Sequence, residues 1–371
     1  MEIPSLKTWF NEDDHYPFII AGPCSAESEE QVLSVAAFLK STGNVNLFRA
    51  GVWKPRTRPG TFPGAGVKAL RWLMRVQSEY GLKVTVEVAS PKHVEVCLKH
   101  GIDVIWLGAR TVSNPFSVEE LSEALRGVDI PVLIKNPLSP DIDLWQGAVE
   151  RVYAAGIKRI AAVHRGFSPF ERTLYRNMPK WEIPIELRQR IRNLPVICDP
   201  SHMSGRADLV PEISQKALDL TMSGLMIEVH PNPSEALSDS AQQLNYDQFR
   251  SLMATLIIRQ STIDDKGFLN QLEELRNQID SIDFQLIELL ASRMNISEKM
   301  GEYKFKNNVT VLQMERWLEI LRTRTEHGSL RDLEPAFIER VMTLLHQESI
   351  RVQTAILNNL KTNSDHWSEE Q

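Results

Sequence analysis

Between Asn46 and Thr61 the chain reads NLFRAGVWKPRTRPGT, a strand-like apolar run leading into Arg49, Lys54, Arg56 and Arg58, with Gly51, Pro55, Pro59 and Gly60 among them. Proline stiffens such a backbone and glycine loosens it. Guanidinium and ammonium groups carried on it suit gripping phosphate and carboxylate oxygens. A solvated basic turn has the same composition, so the surroundings of this loop decide between the two readings.

From Tyr16 to about Glu228, short β-rich runs alternate with helix-length amphipathic runs eight times. Strands are expected at 17–21, 46–49, 83–88, 103–107, 131–135, 158–163, 195–199 and 224–229. Near-continuous apolar strands separated by helices predict an α/β fold with a parallel sheet covered on its outer face. Eight such units predict a closed (β/α)8 TIM barrel. A doubly wound open sheet is the alternative. Barrel active sites lie at the C-terminal ends of the strands, and the chain places ionisable groups there. Cys24 follows the first strand, Arg49, Lys54 and Arg56-Thr57 the second, Glu87 closes the third and Arg110 follows the fourth. Lys135 ends the fifth strand, His164-Arg165 the sixth, Asp199 with His202 the seventh and Glu228 with His230 the eighth, and Asp239 comes after.

Cys24, His202, Glu228 and Asp239 offer one thiol, one imidazole and two carboxylates to a divalent metal. A structural zinc cage favours more thiolates at closer paired spacing, so the mixed set points to catalysis. Singly, each residue reads as buried packing or a satisfied polar group; their shared rim raises the joint reading. Arg49, Arg110, Lys135 and Arg165 leave four different strand ends and can converge on one small anion carrying both phosphate and carboxylate, while Arg56 and Thr57 can hold a second phosphate. Two anionic substrates and a metal imply condensation.

Composition bounds the rest. The 371 residues are 42% hydrophobic and 24% charged with a net charge of -6, which argues against nucleic acid as a general partner. No apolar run approaches a membrane span and the N-terminus lacks signal-peptide regions, so a cytoplasmic location is expected. Three cysteines, Cys24, Cys97 and Cys198, suggest reduced thiols. The barrel is expected over 1–260, a polar linker at 261–267 and a helical domain over 268–360, with a polar, disordered tail at 361–371. From Phe268 to Lys306 apolar residues recur in steps of three and four, predicting a helix roughly 55 Å long. That exceeds what a small monomeric bundle covers, and a partner chain is the simplest cover. Further helices are expected at 312–326 and 335–360. Arg276, Arg293 and Lys304 read either as a solvated face or as groups sharing a groove between packed chains.

The set GPCS, KPRT, GAR, the fifth-strand lysine, His164-Arg165-Gly166, DPSH, EVHP and ALSDSAQQL resembles the 3-deoxy-D-arabino-heptulosonate 7-phosphate synthase family, type I beta, over residues 15 to 260. The resemblance implies Cys24, His202, Glu228 and Asp239 as ligands of a divalent metal, commonly Mn2+. It implies Arg110 and Arg165 for the phosphate of phosphoenolpyruvate, Arg49, Lys54 and Lys135 near its carboxylate and the reacting centre, and Arg56 with Thr57 for the phosphate of erythrose 4-phosphate. Glu87 matches a carboxylate that positions water. Lys54 is the favoured proton donor, with His202, Lys135 or metal-bound water as alternatives. His164 stands where relatives often carry glutamate. The related octulosonate synthases, which act on arabinose 5-phosphate, carry an Asn-Arg-Ser type sequence in place of Lys54-Pro55-Arg56-Thr57.

The pattern LRNQIDSIDFQLIELLASRM, followed by YK, ER and ESIRVQ, resembles an all-α chorismate mutase of the intertwined-dimer type over roughly 266 to 360. It implies a homodimer in which Arg276 crosses from the partner chain to join Arg293 and Lys304 around the two carboxylates and ether oxygen of chorismate. Glu315, Ser349 and Gln353 match the polar lining. Such a site selects the pseudo-diaxial conformer, and Lys304 and Gln353 would stabilise charge on the breaking ether bond. Thr310-Val311 departs from the loop pair that meets the substrate hydroxyl in relatives, and an inactive sensing and dimerisation module is the alternative. The first strand begins near Pro17, which leaves no room for a separate regulatory domain, so feedback by prephenate or chorismate is expected through the helical domain.

Overall fold

The strands are β1 Phe18–Gly22, β2 Leu47–Arg49, β3 Val84–Val88, β4 Val104–Leu107, β5 Val132–Lys135, β6 Ile160–His164, β7 Val196–Cys198 and β8 Gly224–Glu228, each within two residues of its expected bounds. All pair in parallel and in sequence order. β1 also pairs with β8, from Phe18 opposite Gly224 to Gly22 opposite Glu228. That pairing closes the barrel and excludes the open sheet. A Cβ at Gly224 would stand 2.1 Å from the Phe18 carbonyl oxygen, so glycine is what lets the first and last strands meet. This computed structural model describes residues 1–10, 16–54, 60–170, 173–259 and 266–368.

Side chains alternate along each strand, and the two sets have different fates. Ile20, Leu47, Val104, Trp106, Leu133, Ala161, Val163, Ile197 and Met226 fill the barrel interior, joined at its N-terminal end by Leu6 and Trp9. Ile19, Ala21, Phe48, Val84, Val86, Ile134, Ala162 and Cys198 face outward into the layer of helices. Ser28, Ser90 and Asp141 cap three of those helices through side-chain acceptance of backbone N–H groups, each supplying a partner that a helix start lacks.

The chain divides into two compact units, Met1–Ser261 and Thr262–Gln371. In the second, the helices Lys266–Lys306, Met314–Ser329 and Pro335–Ser368 follow one another, and the first and second each pack on the third. Two expectations need correction. The second helix starts two residues and ends three residues later than expected, and the third runs to Ser368 rather than ending at 360. Lys361 to Ser368 holds no glycine or proline to stop a helix. Along the first helix, Leu275, Ile279, Ile282, Leu286 and Leu289 are each more than half exposed. Among the described residues no helix is long and apolar enough to cross a membrane.

His164 ends β6 on the outward parity, beside Ala162, and is completely buried. Its ring lies 6.1 Å from Trp145, 5.7 Å from Phe167 and 5.3 Å from Trp181. Arg165, one residue on, takes the inward parity. Burial pushes the His164 imidazole from 6.5 down to about 3. Above pH 6.5 the ring is neutral in both folded and unfolded chains, and its packing contributes fully. Below that, the unfolded chain takes up a proton that the folded barrel refuses. Stability should therefore fall by about 1.4 kcal/mol per pH unit as pH drops from 6.5 toward 3. His164→Phe should remove this component of the slope in urea unfolding from about pH 7 to 5, and identical slopes in both proteins would count against a neutral buried ring.

Candidate active sites in the barrel and the helical unit

Glu228 closes β8 opposite Gly22, and Cys24 lies two residues beyond that pairing. The Cys24 sulfur and one oxygen each of Glu228 and Asp239 lie within 4.8 Å of one another. His202 Nε2 is 3.6 Å from Glu228 Oε1, while its Nδ1 is hydrogen-bonded to Asp199 Oδ1 at 3.0 Å. A carboxylate holding one ring nitrogen turns the other toward the cluster, as in histidines that bind metals. One thiol and two carboxylates thus converge with an imidazole beside one of the carboxylates, a donor set that a divalent transition metal fits. Burial, with Glu228 beside it, pushes the Cys24 thiol up to about 12. Burial also acts to raise the carboxyls of Glu228 and Asp239, but the cations around them outweigh it and hold both below their ordinary range.

Hydrogen bonds with Gln242, Gln243 and Arg176 fix these groups. Gln242 Nε2 donates to Glu228 Oε2 at 2.7 Å, and Arg176 Nη1 donates to Asp239 Oδ1 at 2.9 Å and to Gln242 Oε1 at 2.7 Å. Gln243 accepts from the Cys24 N–H at 3.0 Å and donates to the Ser238 carbonyl at 2.9 Å. Two adjacent glutamines and one arginine therefore tie together the segments bearing Cys24, Glu228 and Asp239. Lys54 Nζ reaches Cys24 Sγ at 3.0 Å. Gly51 makes that approach possible, since a Cβ there would stand 2.6 Å from Lys54 Cε and from the Cys24 carbonyl oxygen.

The expected cations surround this cluster. Arg49 is buried, donates from Nη2 to Glu228 Oε1 at 3.0 Å, and has its guanidinium carbon 5.3 Å from the Trp106 ring centroid. Its Nε and Nη1 are buried without a partner, and a buried N–H of a cation calls for an acceptor. Lys135 Nζ donates to Asp199 Oδ2 at 2.8 Å. Arg165 Nη1 donates to Asn177 Oδ1 at 2.7 Å, and burial, reinforced by Arg176 and Arg110, pushes its guanidinium down to about 10. Arg110 is exposed at the start of the short helix Ala109–Val112. Glu87 Oε2 accepts from Trp106 Nε1 at 3.0 Å, with Gly108 leaving room beside it. Arg56 and Thr57 lie outside the described residues.

In the helical unit, Arg293 Nη1 donates to Ser349 Oγ at 2.5 Å and to the Leu345 carbonyl at 3.0 Å, and Lys304 Nζ donates to the Val311 carbonyl at 2.6 Å. Gln353 is buried with Oε1 unpartnered, and Gly301 lies against its backbone. Burial lowers the pKa of both Arg293 and Lys304. Four of the six expected residues thus gather where the first and third helices pack. Arg276 does not join them: it is exposed, sits 3.5 Å from Glu273, and lies about 25 Å back along the same helix from Arg293. Glu315 is exposed on the first turn of the second helix.

Residues 5–263 match the profile described as "DAHP synthetase I family". The chain belongs to that family. Residues 275–354 match "Chorismate mutase type II", so this DAHP synthetase I member is a bifunctional enzyme, an aldol-type transferase followed by an isomerase, of the shikimate pathway. The phospho-2-dehydro-3-deoxyheptonate aldolase of Thermotoga maritima is 34% identical over 238 residues, 64% of this chain and 68% of that protein. A crystal structure of the Thermotoga maritima enzyme aligns with a TM-score of 0.58 at 33% identity, covering 64% of this chain and 67% of that one. A truncated form of the 3-deoxy-D-arabino-heptulosonate 7-phosphate synthase from the same organism gives 0.59 at 30%, over 68% of this chain and 90% of its own. The 2-dehydro-3-deoxyphosphooctonate aldolase of Vesicomyosocius okutanii is 28% identical over 277 residues, 69% of this chain and 95% of that protein.

Several residues of the barrel site had been given no role from the sequence. Asp199 was visible at the end of β7, and the inward parity it shares with Ile197 would have marked it. Gln242 and Gln243 stood in the ALSDSAQQL stretch without a role. Arg176 and Asn177 come from an irregular loop with neither periodicity nor motif, and no signal pointed to them.

Proposed function

We propose that the barrel, residues 1–260, condenses phosphoenolpyruvate with erythrose 4-phosphate to 3-deoxy-D-arabino-heptulosonate 7-phosphate, and that residues 268–360, joined through 261–267, rearrange chorismate to prephenate. The observation that carries the barrel reading is the buried Arg49, two of its nitrogens unpartnered, beside the cluster of Cys24, Glu228 and Asp239, with His202 3.6 Å from Glu228. Cys24, His202, Glu228 and Asp239 would hold a divalent metal, Mn2+ being the expected occupant. Such an ion supplies Lewis-acid polarisation of the aldehyde oxygen.

The chain's own residues do the rest. Arg110 and Arg165 hold the phosphate of phosphoenolpyruvate, and Arg49 with Lys135 its carboxylate. Arg56 and Thr57 hold the phosphate of erythrose 4-phosphate. C3 of phosphoenolpyruvate bonds to the aldehyde carbon, water oriented by Glu87 adds at C2, and the C–O bond to phosphate breaks, releasing inorganic phosphate. Lys54, close to Cys24 and to the reacting centre, is the favoured donor of a proton to the new alkoxide, with His202 and Lys135 as the other candidates. Fixed cations favour the more highly charged intermediate over either substrate.

For the mutase, the exposed apolar face of the first helix and the distance of Arg276 from Arg293 support a homodimer in which the partner's Arg276 completes the site. Arg293 and Arg276 take the carboxylates, Lys304 and Gln353 the ether oxygen, and Ser349 and Glu315 the remaining polar edge. Prephenate or chorismate bound there lowers condensation in the barrel; a condensation rate unmoved by added prephenate would overturn that regulatory role.

A chelator should abolish condensation and leave chorismate rearrangement unchanged, with Mn2+ restoring the lost activity and Cys24→Ser retaining metal poorly. Full condensation by metal-free protein would sink the barrel reading. Offered both aldoses, the enzyme should consume erythrose 4-phosphate; preference for arabinose 5-phosphate would instead assign it the octulosonate chemistry. Dimers re-formed from equal amounts of Arg276→Ala and Lys304→Ala chains, each inactive alone, should recover roughly a quarter of the mutase sites by random pairing. No recovery on mixing would place Arg276 and Lys304 in the same site of one chain or outside it.

A further inference from the structure

Each carboxylate of the barrel cluster turns one oxygen inward and has the other held by a neighbouring side chain. Asp239 turns Oδ2 to the Cys24 thiol, which donates to it at 3.3 Å, while Oδ1 accepts from Arg176. Glu228 turns Oε1 toward His202 and gives Oε2 to Gln242. The same Arg176 nitrogen that holds Asp239 also donates to the Gln242 side chain, so one arginine reaches both carboxylates. Asp239 needs the hold more than Glu228. Glu228 is fixed within a strand, whereas Asp239 stands in a loop at φ +46°, a left-handed conformation that a residue with a Cβ keeps only where its surroundings impose it.

The backbone of Arg176 is itself tied to a third ligand. Its N–H donates to the Ser204 carbonyl at 3.1 Å, and that of Asn177 donates to the Met203 carbonyl at 3.0 Å. This irregular loop is thereby fastened to the end of the short helix Pro200–Ser204, which carries His202. Gly205 ends that helix at φ +68°, and a Cβ on it would stand 2.5 Å from Arg176 Cβ. Glycine there serves the turn and makes room for the arginine. Asn177 is buried and donates from Nδ2 to the His202 carbonyl at 2.6 Å.

A cation beside a metal site has two opposed effects: its charge repels a divalent ion, and its hydrogen bonds orient the ligands. The Arg176 side chain is 46% exposed, so water and salt weaken the repulsion. Losing an outer partner of a metal ligand costs roughly 10- to 100-fold in affinity, and on these magnitudes orientation wins. We infer that Arg176 is a positioning residue for the metal, holding Asp239 directly and Glu228 through Gln242, so that the barrel binds a divalent ion more tightly with this cation than without it. This rests on the reading of Cys24, His202, Glu228 and Asp239 as the ligands.

The test is Mn2+ binding by the full chain, stripped with a chelator and free of substrates, followed through the electron paramagnetic resonance signal of the unbound ion. Arg176→Gln should raise the Mn2+ Kd by roughly 10- to 100-fold. Arg176→Lys keeps the charge but is shorter and lacks the planar fork. It should fall between wild type and the glutamine variant, and it carries the test where the latter does not fold. At saturating Mn2+, condensation by either variant should return to within about threefold of the wild-type kcat, a recovery that general damage to the barrel would not allow. An unchanged or lower Kd in Arg176→Gln would leave only the charge effect and overturn the inference. A kcat deficit that persists at saturating Mn2+ would also overturn it, placing Arg176 among the groups that touch the reactants. Wild type that binds no Mn2+ would remove the ligand set itself, a failure of the metal reading rather than of Arg176 alone.

Discussion

The Arg49–Glu228 ion pair lies where the barrel closes, and the rest of the site depends on it. Glu228 is the last residue of the last strand, directly opposite Gly22 of the first, so the pairing that makes the sheet continuous also brings Cys24 beside the carboxylate. Both members of the pair are almost wholly buried. Such a pair costs more in desolvation than attraction returns unless its remaining hydrogen-bonding capacity is filled. Gln242 takes the other oxygen of Glu228, whereas two nitrogens of Arg49 stay empty. The fold thus tolerates an unsatisfied cation at its rim, and an anionic ligand would relieve that cost.

Strand parity is what turned a list of rim residues into a site. Arg49, Glu87, Lys135, Arg165, Asp199 and Glu228 all fall on the inward parity of their strands, the parity that fills the barrel interior with Leu47, Leu133, Val163, Ile197 and Met226. His164 and Cys198 fall on the other parity and are lost to the helical layer. The alternation was already in the sequence, and it explains why His164 turns into the helical layer while Arg165 faces the site. The architecture and the shared direction of the rim residues were legible for the same reason: apolar runs of fixed period mark strands, and the residues ending them inherit a direction.

What was not legible comes from parts of the chain without period. Arg176 and Asn177 reach the site from an irregular loop, and the two glutamines act through hydrogen bonds whose partners lie on β8 and just beyond β1, a relation that no local pattern encodes. Their effect is nonetheless large in number of contacts, since Asp239, Glu228 and the backbone of Cys24 are all held by them. In the helical unit the limit was of another kind. Periodicity found the helices and their apolar faces, but not the end of the last helix, where the apolar repeat fades before Ser368.

The two units prepare their cations for anions in different ways. In the barrel, a closed sheet fixes the backbone on which Arg49 sits, and its free N–H groups are held open with nothing to collapse onto. In the helical unit, Arg293 rests on Ser349 and Lys304 on the Val311 carbonyl, neutral partners that an incoming anion would have to displace. Exchanging a neutral acceptor for a charged one roughly doubles the strength of such a hydrogen bond, so binding is still favoured, but part of the gain is spent on breaking what was there. A rigid rim keeps its electrostatic preorganisation without ligand. The helical unit instead rests its cations on its own neutral groups, and the apolar side chains along its first helix stay exposed.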